Sequence, residues 1–382
     1  MNILCDLISF QSGYSGGGEY TKIICKEIVS SKSAVVYGLF DSEKYIHSEY
    51  LLFIKEYPIQ VIDIRKTSLN NIIRKYSIER IFIGVQSLLN QYDFKNVSCK
   101  MIVTVHDLRN HDIILNNIRG RLIYRSGLKA KLKQFVSRVY PTLTYKWAFS
   151  SLDINVLKKK NVYITTVSNY SKAAIQYYYP QLGDKDIPVY YPPLKTIKKD
   201  RNNKDYVENK VLRKLVWDRK KYFLLVSGGV PEKNIDLFLR VFNRLSEIYP
   251  SYFCVVTGLS LKSDKDNILF LDYLSSSDLE YAYAHATIFV YPTYQEGFGY
   301  PPLEAMKYGV PCCISNVTSL PEIYGDSVVY FSPFYEADLF EKILYILEHF
   351  DLYQGRSLLR YEELLVSLNK SLFKIVDYIL TV

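Results

Sequence analysis

Two carboxylates, Glu296 and Glu304, stand eight positions apart in the run Tyr291-Pro-Thr-Tyr-Gln-Glu296-Gly-Phe-Gly299-Tyr-Pro-Pro-Leu-Glu304-Ala-Met. Between them lie two glycines and two prolines, a composition that suits a tight loop entering a helix. The preceding Thr287-Ile-Phe-Val-Tyr reads as a buried β-run, and Pro302 suits the first helical position, so the segment predicts strand, glycine loop, helix. Such a loop presents unpaired N–H groups and the positive end of a helix dipole to an anion. Gly297 and Gly299, without a Cβ, let backbone approach a diphosphate closely, with Phe298 between them. The carboxylates accept hydrogen bonds and cannot partner an anion, so they should face hydroxyl groups. A sugar carried on a nucleotide offers both chemistries.

Other stretches repeat parts of this arrangement. After the first apolar run comes Gly13-Tyr-Ser-Gly16-Gly17-Gly18-Glu-Tyr-Thr-Lys, and in the second half Leu225-Val-Ser-Gly228-Gly229-Val-Pro-Glu-Lys233-Asn234; both read as strand, glycine turn and helix start. His106-Asp107 ends the run Ile102-Val-Thr-Val, at the strand edge where α/β sheets bind ligands. Helix capping is the plain explanation for Ser168 in Thr166-Val-Ser-Asn-Tyr-Ser171, and Asp107 could likewise cap the segment after it. A dinucleotide fingerprint is a rival for Gly16 to Gly18, with Asp41 as ribose acceptor, but Thr21 stands where a third glycine belongs. The one Tyr-x-x-x-Lys match that short-chain dehydrogenases would want, Tyr206 to Lys210, falls in a charged connection. Two Asp-x-Asp triplets, Asp184 to Asp186 and Asp264 to Asp266, lie in polar turns, and no metal or cofactor is expected.

The Glu-seven-Glu segment resembles the signature of the GT-B glycosyltransferases, in particular the retaining family 4. Tyr308-Gly309-Val310-Pro311, Ser315-Asn316 and Leu320-Pro321-Glu322 are similar to its continuation. The resemblance implies that Glu296 lies near the donor sugar, that Glu304 binds the ribose hydroxyls, and that Lys233 holds the diphosphate. It also implies that Gly16, Gly17 and Gly18, with Gly228, Gly229 and Gly297 to Gly299, line the donor. His106 would touch the transferred sugar, with Asp107 and Ser168 on the acceptor side. The family's usual arginine before the Lys-Asn pair is absent; Gly228 or Gly229 takes its place. That departure leaves a catalytically inactive sugar-binding or partner subunit of the same fold as the alternative.

These residues need a scaffold that brings loops to one edge. Apolar runs at Ile3 to Phe10, Ala34 to Phe40, Ile59 to Ile64, Ile81 to Val85, Met101 to Val105 and Val162 to Val167 alternate with helical patterns, and Val189 to Tyr191 continues them. After a polar break at Lys195 to Asn209 the rhythm resumes at Tyr222 to Val226, Phe253 to Val256, Ile268 to Leu271, Ile288 to Tyr291, Cys312 to Ser315 and Val328 to Phe331. Alternation of this kind predicts α/β architecture with parallel sheets. We expect two Rossmann-like domains, residues 1–195 and 210–363, and a helix over 364–382. In the resembled GT-B fold the domains face each other across a cleft, and the last helix crosses back to the N-terminal domain.

At 382 residues the chain can hold two ordinary cores, and 48% hydrophobic residues predict a globular protein. No apolar run reaches the roughly 18 to 20 residues of a membrane span, and Asp6 interrupts the first, so we expect a cytoplasmic protein. The six cysteines show no paired spacing and read as reduced core residues. Net charge is +9, and residues 113–152 hold eight basic side chains and no acidic one, interleaved with apolar residues. Such a stretch suits peripheral contact with an anionic membrane. A solvated helix face explains it as well; nucleic acid is the weaker partner and is not expected.

The expectation is therefore a nucleotide-sugar-dependent hexosyltransferase, with a GDP-, UDP- or TDP-linked donor of mannose, rhamnose or glucose type. Its acceptor would be a saccharide, lipid-linked at the inner membrane face, in the making of O-antigen or capsule.

Overall fold

The computed structural model describes residues 1–11, 16–46, 48–94, 96–108, 153–194 and 207–382. The basic stretch 113–152, Gly13 and most of the polar connection lie outside these residues. The described residues form two compact units, one of residues 1–108, 153–194 and 365–382, the other of 207–364.

In the first unit β1 (Asn2–Asp6), α1 (Gly16–Ser30), β2 (Val35–Phe40), α2 (Ser48–Glu56), β3 (Gln60–Asp63), α3 (Leu69–Lys75) and β4 (Arg80–Ile83) alternate. They are followed by β5 (Lys100–Val105), α4 (Ile154–Leu157), β6 (Val162–Thr166) and α5 (Asn169–Tyr178). The second unit runs α6 (Lys210–Trp217), β7 (Tyr222–Leu225), α7 (Ile235–Ile248), β8 (Phe253–Thr257), β9 (Ile268–Leu271), α8 (Ser276–His285) and β10 (Ile288–Tyr291). It continues with α9 (Tyr300–Met306), β11 (Cys312–Ser315), α10 (Leu320–Tyr324), β12 (Val329–Phe331) and α11 (Glu336–Glu348), then α12 (Phe350–Thr381), which runs on into the residues of the first unit.

Each unit holds one parallel six-stranded sheet, in the orders β3-β2-β1-β4-β5-β6 and β12-β11-β10-β7-β8-β9. Numbered from its own first strand, each sheet reads 3-2-1-4-5-6, although the two halves share no evident sequence repeat. That order reverses direction between the first and fourth strands, and the crevice at their carboxyl ends is the place where doubly wound sheets bind ligands. The strands are apolar because helices cover both faces. β7 and β10 are buried at every position. Each unit thus has a doubly wound, Rossmann-like α/β architecture.

Three local expectations change. The first strand stops at Asp6 and does not run to Phe10, because the Asp6 carboxylate accepts from the N–H groups of Ile8 and Ser9 at 2.8 and 3.1 Å and bends the chain into a 3₁₀ turn. Val189 makes one isolated parallel bridge to Thr166 and no strand. The last helix begins at Phe350, well before Leu364. Its buried positions, Tyr353, Ser357, Tyr361, Leu364, Leu368, Ile375, Val376 and Ile379, follow helical spacing over that whole length. In the first unit Arg80 donates to the carbonyls of Ile379 and Leu380, satisfying the helix's final turn. Among the described residues no helix is long and apolar enough to cross a membrane.

The buried Asp6 makes a testable stability contribution. It is 2% exposed, and its Oδ2 takes no hydrogen bond. Burial pushes the carboxyl up from 3.8 to about 7, against the opposing pull of the Ser9 and Ile8 N–H groups. Since the folded value lies above the unfolded one, its contribution is full below pH 3.8 and is lost as pH rises to about 7. Asp6→Asn, which keeps an acceptor for the turn, should therefore raise the Tm at pH 8 and raise it less at pH 5. A scan showing the same change at both pH values would refute this account.

Candidate active site at the carboxyl edge of the second sheet

The turn after β7 and the loop after β10 lie side by side, because those two strands are neighbours at the point where the sheet's order reverses. The β7 turn delivers Lys233 from a short 3₁₀ helix, Pro231–Lys233, closed by Asn234 in the left-handed region at φ 50°. The β10 loop delivers Glu296. Lys233 Nζ donates to Glu296 Oε1 at 2.6 Å. Tyr291 OH and Thr293 Oγ1 each lie 2.8 Å from the same oxygen, and Lys233 also donates to the Tyr291 hydroxyl. Both ion-pair side chains are nearly enclosed, at 12% and 13% exposure. All these donors fall on Oε1; among the described residues none falls on Oε2.

The loop that carries Glu296 is tied down on both sides. Its N–H donates to Thr318 Oγ1 at 3.0 Å, and its carbonyl accepts from Ser319 Oγ at 3.1 Å. Gly299 has φ +88°, and a Cβ there would come within 2.5 Å of Leu320 Cδ2, so this position requires glycine. Gly299 is also the N-cap of α9, so the helix starts at Tyr300, two residues before the expected Pro302. Pro301 and Pro302 therefore occupy its second and third positions, where they remove two of the N–H groups an anion would use. The Phe298 ring is buried at 4% exposure, with its centroid 5.3 Å from that of Tyr300.

Glu304, in α9, accepts from the hydroxyl of Tyr283 at 2.8 Å. Tyr324 donates to the Gly299 carbonyl. The phenols of Tyr283, Tyr291 and Tyr324 are all pushed well above their ordinary range. Burial is the largest cause, and the charges of Glu304, Glu296 or both add to it. These hydroxyls remain protonated donors at any physiological pH.

Several expected glycine roles are corrected. The N–H groups of Gly228 and Gly229 donate to the carbonyls of Thr257 and Gly258 at 2.8 and 3.2 Å, so they are not available to a diphosphate. A Cβ at Gly228 would meet Val256 at 2.4 Å, and one at Gly229 would meet the Gly258 carbonyl at 2.6 Å. These glycines let the turns after β7 and β8 pack together. In the first unit Gly16, Gly17 and Gly18 form the opening turn of α1 and no open loop. Cβ atoms at Gly17 and Gly18 would collide with Val85 and Tyr50 at 2.7 and 2.6 Å, so close helix packing accounts for both.

Also in the first unit, His106 stands at the carboxyl end of β5. Its Nε2 donates to the Gly84 carbonyl at 2.8 Å, its N–H donates to Gln86 Oε1 at 3.2 Å, and its ring meets the edge of Tyr20 at 4.7 Å. Gln86 Nε2 donates to the Asp107 carbonyl at 3.0 Å, so this one side chain holds the whole His-Asp turn. Ser168 is fully buried, caps α5 through the Ser171 N–H at 3.1 Å and bonds to Ser171 Oγ. It is a capping residue and not an acceptor contact. Asp41 is spent as well: Arg65 grips both its oxygens at 2.8 and 2.9 Å, and this pairing holds its carboxyl far below the ordinary range. No ribose can use it, which removes the dinucleotide fingerprint.

Sequence reasoning assigned no role to Tyr283, Tyr291, Thr293, Tyr324 or Gln86. Tyr291 and Thr293 sit inside the recognised segment, five and three residues before Glu296. Nothing local marks Tyr283 or Gln86, whose partners lie 21 and 20 residues away.

Residues 208–354 match the family described as glycosyl transferases group 1. The chain is 38% identical over 132 residues to O-antigen chain mannosyltransferase B of Escherichia coli, an alignment covering 31% of this chain and 34% of that protein. It is 26% identical over 257 residues to O-antigen chain mannosyltransferase RfbU of Salmonella typhimurium, covering 64% and 63%. The chain thus spans between about a third and just under two thirds of these two relatives. Among solved structures, Anabaena Alr3699/HepE in complex with UDP and glucose superposes with a TM-score of 0.66 at 14% identity, covering all of both chains, a likeness of fold.

The packing role of Gly229 is open to a direct check. Gly229→Ala places a methyl group against a backbone carbonyl, which side-chain movement cannot relieve, and should cost about 1–3 kcal/mol of stability. A lowered denaturation midpoint by circular dichroism is the expected outcome. An unchanged midpoint would show that the two turns are not close-packed.

Proposed function

We propose that this chain is a retaining glycosyltransferase that moves a hexose from a nucleotide sugar to a saccharide acceptor in surface polysaccharide synthesis. One observation carries this reading: the meeting of Lys233 with Glu296 at the reversal point of the second sheet, beside the loop of Gly297 to Gly299. The matched family and the O-antigen mannosyltransferases among its relatives support it, and they favour mannose among the hexoses. The likeness to a structure holding UDP and glucose supports a nucleotide-linked donor.

The chemistry follows from the charge to be managed. Breaking the bond between sugar and phosphate leaves negative charge on the nucleoside diphosphate and positive charge at the anomeric carbon. Lys233 and the amides of the Gly297 to Gly299 loop are fixed donors for the former, with no metal ion in the scheme. Glu296 offers Oε2 to a sugar hydroxyl while Oε1 stays bound to its three internal partners. Glu304 takes the ribose hydroxyls. Attack comes from the face the phosphate leaves, and the departing phosphate oxygen receives the acceptor's proton, which retains configuration.

A lipid-linked acceptor is the finer part of the proposal. It rests on the eight basic residues of 113–152, which would bring the protein to the inner membrane face. The competing reading, an inactive partner of the same fold, is favoured by the glycines that stand where the family's arginine is usual. Turnover decides between them.

Release of free nucleoside diphosphate from a panel of GDP-, UDP- and TDP-sugars is the primary test, and no release from any donor would leave the inactive reading. Glu304→Ala should raise the KM for the active donor about tenfold or more, while Lys233→Ala should mainly lower kcat. Wild-type rates in both variants would remove these roles. Flotation with anionic vesicles at low salt should carry the protein upward, and protein left wholly in solution would remove the membrane contact.

A further inference from the structure

Both carboxylates of the site are held from beneath by tyrosines with essentially no solvent exposure. Tyr291 is 0% exposed and places its hydroxyl 2.8 Å from Glu296 Oε1; Tyr283 is 2% exposed and places its hydroxyl 2.8 Å from Glu304 Oε2. The two rings flank Phe289, with centroids 5.7 and 5.6 Å away. Tyr291 and Phe289 share one face of β10, as their two-residue spacing dictates, and Tyr283 enters from α8. A third ring, that of the fully buried Tyr324, donates to the carbonyl of Gly299 in the same loop.

We propose that Tyr283 and Tyr291 are positioning residues that fix the aim of Glu304 and Glu296 before any ligand arrives. The proposal rests on the donor-binding reading of those two carboxylates given above.

Three physical arguments support it. A phenylalanine would fill either position without burying a hydroxyl, and a buried hydroxyl is unfavourable unless it has a partner. Here each donates to a carboxylate of the site. Next, a free glutamate side chain loses rotamer entropy when a ligand orders it, and a rigid donor below it removes much of that loss in advance. Finally, the hydroxyls cannot be lost to ionisation, because burial first and the adjacent carboxylate second push their titration far above neutrality. Tyr291 has an additional task. It accepts from Lys233 while donating to Glu296, so it sets the geometry of the cation as well as of the carboxylate.

The test uses Phe variants, which keep the rings and remove only the hydroxyls. Affinity for GDP and UDP is measured by calorimetry for the wild type, Tyr283→Phe, Glu304→Ala and the double variant, each checked for an unchanged Tm. Tyr283→Phe should weaken binding of the preferred nucleotide roughly five- to tenfold. In the Glu304→Ala background the same change should have no further effect, because the hydroxyl acts through that carboxylate. Tyr291→Phe should lower kcat for nucleoside diphosphate release about tenfold with KM within twofold, which a general loosening of the core would not produce.

Equal losses from Tyr283→Phe in both backgrounds, or wild-type affinity and rate in both Phe variants, would overturn the positioning role while leaving the transferase reading intact. A wild-type protein that binds neither nucleotide and turns over no donor would instead overturn the transferase reading, and the positioning role with it.

Discussion

The arrangement at the carboxyl edge of the second sheet turns on one ion pair, Lys233 against Glu296 at 2.6 Å, almost enclosed by protein. Removing two charges from water to this extent is expensive, and their mutual attraction alone tends only to break even. Tyr291 and Thr293 improve the balance by adding hydrogen bonds to the charged oxygen, which are stronger than those between neutral groups. A hydrophobic pair of similar volume would stabilise the fold as well or better. Stability alone therefore does not account for paired charges at this reversal point. The pair also leaves the second oxygen of Glu296, Oε2, without a donor among the described residues.

The rest of the second unit can be understood as what makes that contact possible. β7 and β10 are neighbours only because the chain leaves β7, builds β8 and β9 on one side, and returns to the other. The turn after β7 is then braced on the turn after β8 through Gly228 and Gly229, and the loop after β10 is braced on Thr318, Ser319 and Leu320 at the start of α10. Glycine serves contact between backbones within the protein at these places, where the sequence suggests contact with a ligand. The first unit follows the same logic with different residues: Gly17 and Gly18 set α1 against Val85 and Tyr50, and Gln86 holds the His106-Asp107 turn.

Much of the scaffold was legible in the sequence because strands buried on both faces read as unbroken apolar runs. Ile268–Leu271, Ile288–Tyr291 and Cys312–Ser315 are observed at the residues that pattern indicates. Legibility failed where a polar group overruled the run. Asp6 captures two backbone N–H groups and ends β1 early, and the left-handed Gly299 starts α9 ahead of its prolines. The opening of α12 was hidden because its buried face is made of Tyr353, Ser357 and Tyr361 among charged residues, so hydrophobic periodicity fades there even though burial does not. Within the candidate site, Glu296 and Glu304 stand out by residue type and spacing, and Lys233 only through the family resemblance. The glycines were found too, but with the wrong task, because a missing Cβ says that something comes close without saying what.

The order of chemical groups along each loop is therefore a property of the sequence alone: a lysine after the strand-and-glycine turn, two carboxylates eight residues apart, apolar strands to carry them. Which groups meet is not. Lys233 reaches Glu296 across 63 residues, Tyr283 reaches Glu304 across 21, and Asp41 is claimed by Arg65 across 24. Hydrophobic periodicity reports which face of an element is buried, but a hydrogen bond between elements depends on strand order and on the height at which each loop leaves the sheet. Only the folded chain sets those two quantities, and with them the choice of buried tyrosine beneath each carboxylate.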